Sequence, residues 1–225
     1  MPRFDMTQTD AWYINLACRP DRDAHMRAEL ERVGVTAERF EAFTPDQWAG
    51  PAEKVLKMRN RTPGAIGCHM SQTAIIGKAL ATGRNVLVLE DDVCFADDLQ
   101  DRFRYIERAM LGNEWDIFWL GATVHINPPV WHAKNHTDPF FQPLGRDVEM
   151  TTDPRILRTY GIWSTYAWVV NADSAGKLLA MFDENLHQSI GIDYLTMFLQ
   201  PRLNTFCFVP GSAWQYDNQS NIGDG

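Results

Sequence analysis

The chain is poor in the features that most quickly assign a protein. Its four cysteines, Cys18, Cys68, Cys94 and Cys207, lie far apart with no CxxC pair. That spacing argues against a disulfide framework or a thiolate zinc site and leaves reduced, mostly buried thiols. No apolar run approaches transmembrane length, and the opening MPRFDMTQTDAW is too polar for a signal peptide. The default expectation is a cytoplasmic chain, with peripheral contact to the inner membrane surface left open. Positive charge is scarce: 21 Lys and Arg stand against 29 Asp and Glu, a formal net charge of -8. The surplus argues against generic binding to an anionic bilayer or to nucleic acid, so a nucleic-acid partner is not favoured. A Walker loop, a G-x-G-x-x-G fingerprint and a G-x-S-x-G elbow are all missing, which removes three common enzyme readings. No internal repeat or low-complexity tract stands out.

What is present is a 225-residue chain, 45% hydrophobic and rich in tryptophan, which suits one domain with a substantial core. WYINLA (Trp12 to Ala17) reads as a first strand. The following helix carries Met26, Leu30 and Val33 at helical spacing, with Pro20 and Asp21 at its start and Gly34 at its stop. ERFEAF suits a short second strand, and Asp46 to Arg61 has no clear pattern. Thr62-Pro63-Gly64 opens a helix through Ile66, Met70, Ala74, Gly77 and Leu80, closed by Gly83; His69 within it reads as a packing or capping residue. VLVLE is a strand, and a helix with the stripe Leu99, Phe103, Ile106 and Met110 follows, with acids at its positive end. DIFWLG is another continuous apolar strand. Strands alternating with helices, apolar on both faces, indicate a mainly parallel sheet covered on both sides.

Residues 122–158 break this rhythm with five Pro and three His, and read as an irregular insert or lid in which Trp131, Phe140 and Phe141 are candidate closing residues. His132 and His136 are four apart, but their surroundings are not helical and argue against a metal pair. IWSTYAWVV resumes as a strand, with Trp163, Tyr166 and Trp168 expected to pack the core unless a terminal ring stacks on a sugar or base. Asn171 suits the cap of the next helix, IDYLTMFLQ a short helix entered at Asp193, and LNTFCFV a last strand before a polar tail. The expected organisation is one domain over 1–225, with a first half at 11–121, the insert at 122–158 and a second half with the tail at 159–225.

The chemistry concentrates in NVLVLEDDVCF. A buried strand delivers Glu90, Asp91 and Asp92 together at its carboxyl end, where ligands bind in such sheets. Like charges repel and burial raises carboxyl pKa values, so either a cation or open solvent must resolve the cluster. Hard oxygen ligands would favour Mg²⁺ or Mn²⁺, completed by substrate phosphates.

Taken together, INLACRPDR, GAIGCHMSQTAIIGKAL, NVLVLEDDVCF, YGIWSTYAWVVNADSAGKLL and IDYLTMFLQ resemble glycosyltransferase family 25, from about Trp12 to Ile222. The family's usual helix motif, G-E-x-G-C-x-x-S-H, is departed from at Ala65 and Gln72. The resemblance implies a GT-A-like, Rossmann-type α/β sandwich that moves a hexose, galactose or glucose, from a UDP-linked donor to an acceptor hydroxyl. It further implies a Mn²⁺ or Mg²⁺ cofactor, inversion at the anomeric carbon, and an acceptor that is a glycan, a lipid-linked glycan or a protein, as in lipopolysaccharide biosynthesis. Carried over by position, Asp92 and Asp91 would hold the metal, and Asn15, Arg19, Arg22, Ser71, Glu90, Asp91, Gln219 and Ser220 would bind the donor. Asp193 would be the catalytic base. A metal-dependent phosphoester hydrolase and an inactive binding module are the alternative readings.

Overall fold

The structure, a computed structural model, describes residues 4–44, 62–123, 148–186 and 191–216. An eight-stranded sheet runs in the order β2-β1-β3-β8-β5-β9-β7-β6. Its strands are β1 (Thr9–Asn15), β2 (Glu38–Glu41), β3 (Asn85–Glu90), β5 (Ile117–Thr123), β6 (Val148–Met150), β7 (Ile156–Thr159), β8 (Trp163–Val170) and β9 (Thr205–Phe208). Six of the eight point one way, while β7 and β8 run against them. The mostly parallel α/β sandwich expected from the alternation of elements is therefore present. β4 (Val93–Phe95) and β10 (Ala213–Gln215) form a small antiparallel ribbon beside the carboxyl end of β3.

β3 shows why this sheet needs cover on both faces. Val86, Leu87, Val88 and Leu89 are all fully buried, and a strand's side chains alternate between faces. Leu87 and Leu89 join Met26, Leu30 and Val33 of α1 (Pro20–Val33) and Leu99, Phe103 and Ile106 of α3 (Leu99–Ala109). Val86 and Val88 join Ile75, Ile76 and Ala79 of α2 (Pro63–Thr82), Leu178 and Phe182 of α4 (Ala172–Glu184), and Leu195 of α5 (Ile192–Leu199). Full burial of each such side chain favours folding by about 1.5–3 kcal/mol, so both faces contribute comparably.

The helix boundaries follow local chemistry. Gly34 and Gly83 end α1 and α2 in the left-handed conformation, at φ 66° and 68°. Thr62 caps α2 by accepting the Ala65 N–H, and Asn171 caps α4 by accepting that of Asp173. The buried face of α2 differs from the stripe expected. Leu80 is 58% exposed, and Gln72, Ile75, Ile76 and Ala79 face inward instead, because the helix packs on both the sheet and α4.

Two more expectations need correction. The far end of the supposed irregular insert forms β6 and β7, which extend the sheet through β9; short strands without alternating apolar residues leave little trace in sequence. The supposed tail begins with a strand, β10, whose Trp214 and Gln215 pair with Cys94 and Val93. Residues 45–61, 124–147 and 217–225 lie outside the described residues, and with them His125, Trp131, His132, His136, Phe140, Phe141, Gln219 and Ser220. All four cysteines are free; Cys207 is buried, Cys68 and Cys94 are half-buried, and Cys18 is exposed rather than buried.

α2 approaches the end of β2 so closely that a Cβ on Gly67 would lie 2.4 Å from the Phe43 carbonyl oxygen. Ser71, one turn on, accepts the Phe43 N–H at 2.9 Å and donates to the Gly67 carbonyl at 2.7 Å. The Gly and Ser of the GC-x-x-S segment thus dock α2 onto the chain after β2. We expect Gly67→Ala to cost about 1–3 kcal/mol of stability through overpacking against backbone. Urea denaturation with an unchanged m-value would register it, and parental stability would show that the contact yields freely.

Candidate active site

Strand alternation divides the acidic triplet. Glu90, in phase with Val86 and Val88, faces α2 and α5; Asp91 falls on the α1 side; Asp92 completes the turn into β4. Each carboxylate therefore meets different partners.

Asp91 is buried, accepting from Arg22 at 2.7 Å through Oδ1 and from Asn15 at 2.8 Å through Oδ2. Asn15 is itself held, donating to the Arg19 carbonyl at 3.0 Å and accepting from Arg39 Nε at 2.9 Å. Arg22 also reaches Asp92 at 3.5 Å. Sequence reasoning assigned Asn15, Arg22 and Asp91 to the donor and Asp91 also to the metal; the structure places them as a buried ion-pair knot beneath the triplet. Removing one member of such a pair strands a charge, which typically costs about 3–5 kcal/mol. Ser71, also expected at the donor, is fully buried in the α2 docking contact. Arg19 lies nearer the rim, paired with Asp21 at 2.7 Å and within electrostatic reach of Asp91 and Tyr216.

Glu90 is half-buried and borders the crevice outside the carboxyl end of β3, the cleft in which such sheets bind ligands. Its Oε1 lies 3.2 Å from Gln72 Nε2 and 3.4 Å from the Thr165 hydroxyl. Its Oε2 lies 3.3 Å from Gln215 Nε2, which is also 3.3 Å from Asp92 Oδ1. Burial, and then the charges of Asp92, Asp193 and Asp91, push the Glu90 carboxyl up to about 8. Burial also raises Asp92, although Arg22 opposes the shift.

Asp193 enters the same cleft at the start of α5. Its carboxylate folds back over Gly191, where an added Cβ would meet Oδ1 at 2.6 Å, and accepts the backbone N–H groups of residues 193 and 194. Burial raises its pKa, and those two N–H groups oppose the rise. Beside it, Trp163 stacks on Tyr194 with ring centroids 5.2 Å apart. Ser164, between Trp163 and Thr165, adopts φ 95°, where a non-glycine residue is strained, and the β5–β8 register shifts close by. Tyr166 and Trp168 lie in the core, as expected from the strand pattern.

The Cys68 thiol is pushed upward by burial and by Glu90, which makes it a poor nucleophile. His69 packs edge-on against Phe182 at 5.8 Å, the packing role expected of it. Among the described residues no three His, Cys, Asp or Glu side chains form a ready metal cage. Glu90 and Asp92 nonetheless fit a hard divalent ion. They are two oxygen donors converging on one neutral amide, and such ions take their remaining ligands from phosphates and water. Sequence reasoning missed Gln215, hidden in the unrecognised β10, and took Gln72 only as a departure from a motif.

The raised Glu90 carboxyl has a sign that can be checked. Its ordinary value is 4.5 and its folded value about 8, so its contribution to stability is complete below about 4.5 and is lost as pH rises through about 8. In EDTA, the melting temperature of Glu90→Gln should gain on that of the parent between pH 5.5 and pH 8.5. Parallel melting curves across that range would mean that Glu90 is not held protonated.

A family model described as glycosyltransferase family 25 (LPS biosynthesis protein) matches residues 8–196, from β1 into α5, and takes in Glu90, Asp91, Asp92 and Asp193. The Rattus norvegicus protein named probable inactive glycosyltransferase 25 family member 3 is 26% identical over 200 residues, covering 82% of this chain and 32% of that protein. A Drosophila melanogaster glycosyltransferase 25 family member is 26% identical over 186 residues, covering 74% of this chain and 27% of its own length. The chain thus spans about a third or less of these curated relatives. Among solved structures, a glycosyltransferase involved in the glycosylation of the major capsid of PBCV-1 aligns with a TM-score of 0.43 at 11% identity, over 90% of this chain and 93% of that one. With most of its length, from β1 into α5, inside the family match, the chain belongs to glycosyltransferase family 25.

Proposed function

We propose that this chain transfers a hexosyl unit, galactosyl or glucosyl, from a UDP-linked donor to an acceptor hydroxyl, with inversion and with Mn²⁺ or Mg²⁺ bound. The observation that carries this reading is the convergence of Glu90, Asp92 and Asp193 on one cleft at the carboxyl edge of the sheet, where Arg22 opposes the charge of Asp92. Such a concentration of buried negative charge is costly unless a cation joins it.

Asp92 and Glu90 would hold the metal, and Asn15, Arg22 and Asp91 would keep their turn rigid. When bound, the ion would neutralise charge developing on the leaving diphosphate. Arg19 at the rim, with Gln219 and Ser220 of the tail, would bind the donor. Asp193 would accept the proton of the attacking hydroxyl, and its desolvation strengthens it as a base. Proton transfer to Asp193 and departure of the diphosphate then balance a single displacement, which inverts the anomeric centre. The acceptor would be a glycan, lipid-linked or protein hydroxyl in a cytoplasmic setting, and no helix among the described residues is long and apolar enough to cross a membrane.

A binding module without turnover is the second reading, favoured by the word inactive in the names of the rat and mouse relatives. A thermal-shift screen of UDP-, GDP- and CMP-sugars, with and without Mn²⁺, separates binding from its absence, and product formation separates the two readings. We expect Asp92→Asn to fold normally and to lose metal-dependent transfer. Asp193→Ala should lose about 10²–10⁴-fold in kcat at saturating acceptor, the usual contribution of a positioned base. Parental turnover by either variant removes the role given to that residue.

A further inference from the structure

Gln72 is fully buried at the centre of α2 and touches four groups. Its Oε1 accepts from the Trp168 indole Nε1 at 3.0 Å. Its Nε2 lies 2.8 Å from Thr165 Oγ1, 3.2 Å from Glu90 Oε1 and 3.5 Å from Cys68 Sγ. An amide can ordinarily be turned end for end, but an indole N–H can only donate. Trp168 therefore fixes the amide oxygen on its own side and directs both N–H bonds toward Thr165 and Glu90. Trp168 is in turn immobile: it is fully buried in β8 and stacks on Trp119, with ring centroids 5.3 Å apart and planes 12° apart. The Thr165 hydroxyl accepts from Gln72, so its own proton is free to point at Glu90 Oε1, 3.4 Å away. The chain of donors runs one way, from indole to amide to carboxylate, with the threonine hydroxyl as a side branch.

We propose that Gln72 is a positioning residue for Glu90: its oriented amide, with Thr165, occupies Oε1 and leaves Oε2 as the oxygen presented to the cleft beside Asp92. This deepens the transferase reading and rests on it for its catalytic consequence, but the positioning itself is a property of the metal-free chain. Without Gln72, Oε1 keeps one distant partner, Thr165, and Gln215 at Oε2 is left to orient the carboxylate through a 3.3 Å contact. A glutamine that merely filled volume would be replaced without loss by methionine. A glutamine acting as a relay needs one acceptor and one donor, which a neutral imidazole also offers.

The test compares Gln72→Met, Gln72→His and Thr165→Val by two measurements. In metal-free crystals of Gln72→Met and Thr165→Val, the Glu90 carboxylate is expected to leave its parental orientation, whereas Gln72→His retains it. Mn²⁺ affinity in the presence of UDP, read from the electron paramagnetic resonance signal of free Mn²⁺, should fall about 10- to 100-fold in Gln72→Met, the usual effect of losing a partner that orients a ligand. It should recover to within about threefold in Gln72→His if donor and acceptor are what matter. An unmoved Glu90 in both Gln72→Met and Thr165→Val overturns the proposal, and so does a Gln72→His variant as impaired as Gln72→Met. Should the parent protein bind no Mn²⁺ with UDP, that outcome counts against the transferase reading, and the crystallographic comparison decides the role of Gln72 by itself.

Discussion

The structure depends on a single charge contact, the buried pairing of Arg22 with Asp91 at 2.7 Å. Three consecutive carboxylates at the end of a fully buried strand would repel one another and resist desolvation. Strand alternation sends the middle one to the α1 face, where a guanidinium and the Asn15 amide satisfy it. With Asp91 neutralised internally, the turn from β3 to β4 is locked, and Glu90 and Asp92 are the acids left facing the cleft. β4 in turn anchors β10, so Gln215 reaches Glu90 and Asp92 only because that turn is rigid.

A second constraint acts from the opposite face. Gly67 permits α2 to touch the backbone at Phe43, and Ser71 ties the two together. This close approach sets the depth of α2 against the sheet, and one residue beyond Ser71 the side chain of Gln72 enters the space between β3 and β8. The same helix supplies the Cys68 thiol to the cleft wall. Docking of α2 and placement of the Glu90 partners are therefore one event, although the Gly and Ser of the motif touch nothing in the cleft.

The alternation of strands and helices was legible because β1, β3, β5 and β8 are continuous apolar runs and their helices carry strong stops at Gly34, Gly83 and Gly112. The acid triplet drew notice as a candidate site because its place at a strand's carboxyl end follows from topology alone. The roles within the triplet were not, since they depend on which face each residue takes and on α1 standing against one of those faces. β6, β7 and β10 escaped notice because strands three or four residues long have too few side chains to show a period. Gln215 was lost with β10. Gln72 was visible but uninterpretable, because its meaning lies in Trp168, 96 positions away in the chain.

Coulomb energy also bears on whether the cleft is a relic. Three acids, Glu90, Asp92 and Asp193, stand where burial penalises the ionised form, and Arg22 is engaged with Asp92 as well as with Asp91. A site released from any ligand gains stability from every acid it exchanges for an amide or an apolar side chain, because such exchanges remove desolvation and repulsion together. At Gln72, the interior position in contact with the cluster, the side chain is fully matched, with a donor on one side and acceptors on the other. A polar network that satisfied, built around charges that a cation would relieve, is what the proposed metal-binding role requires of the unliganded chain.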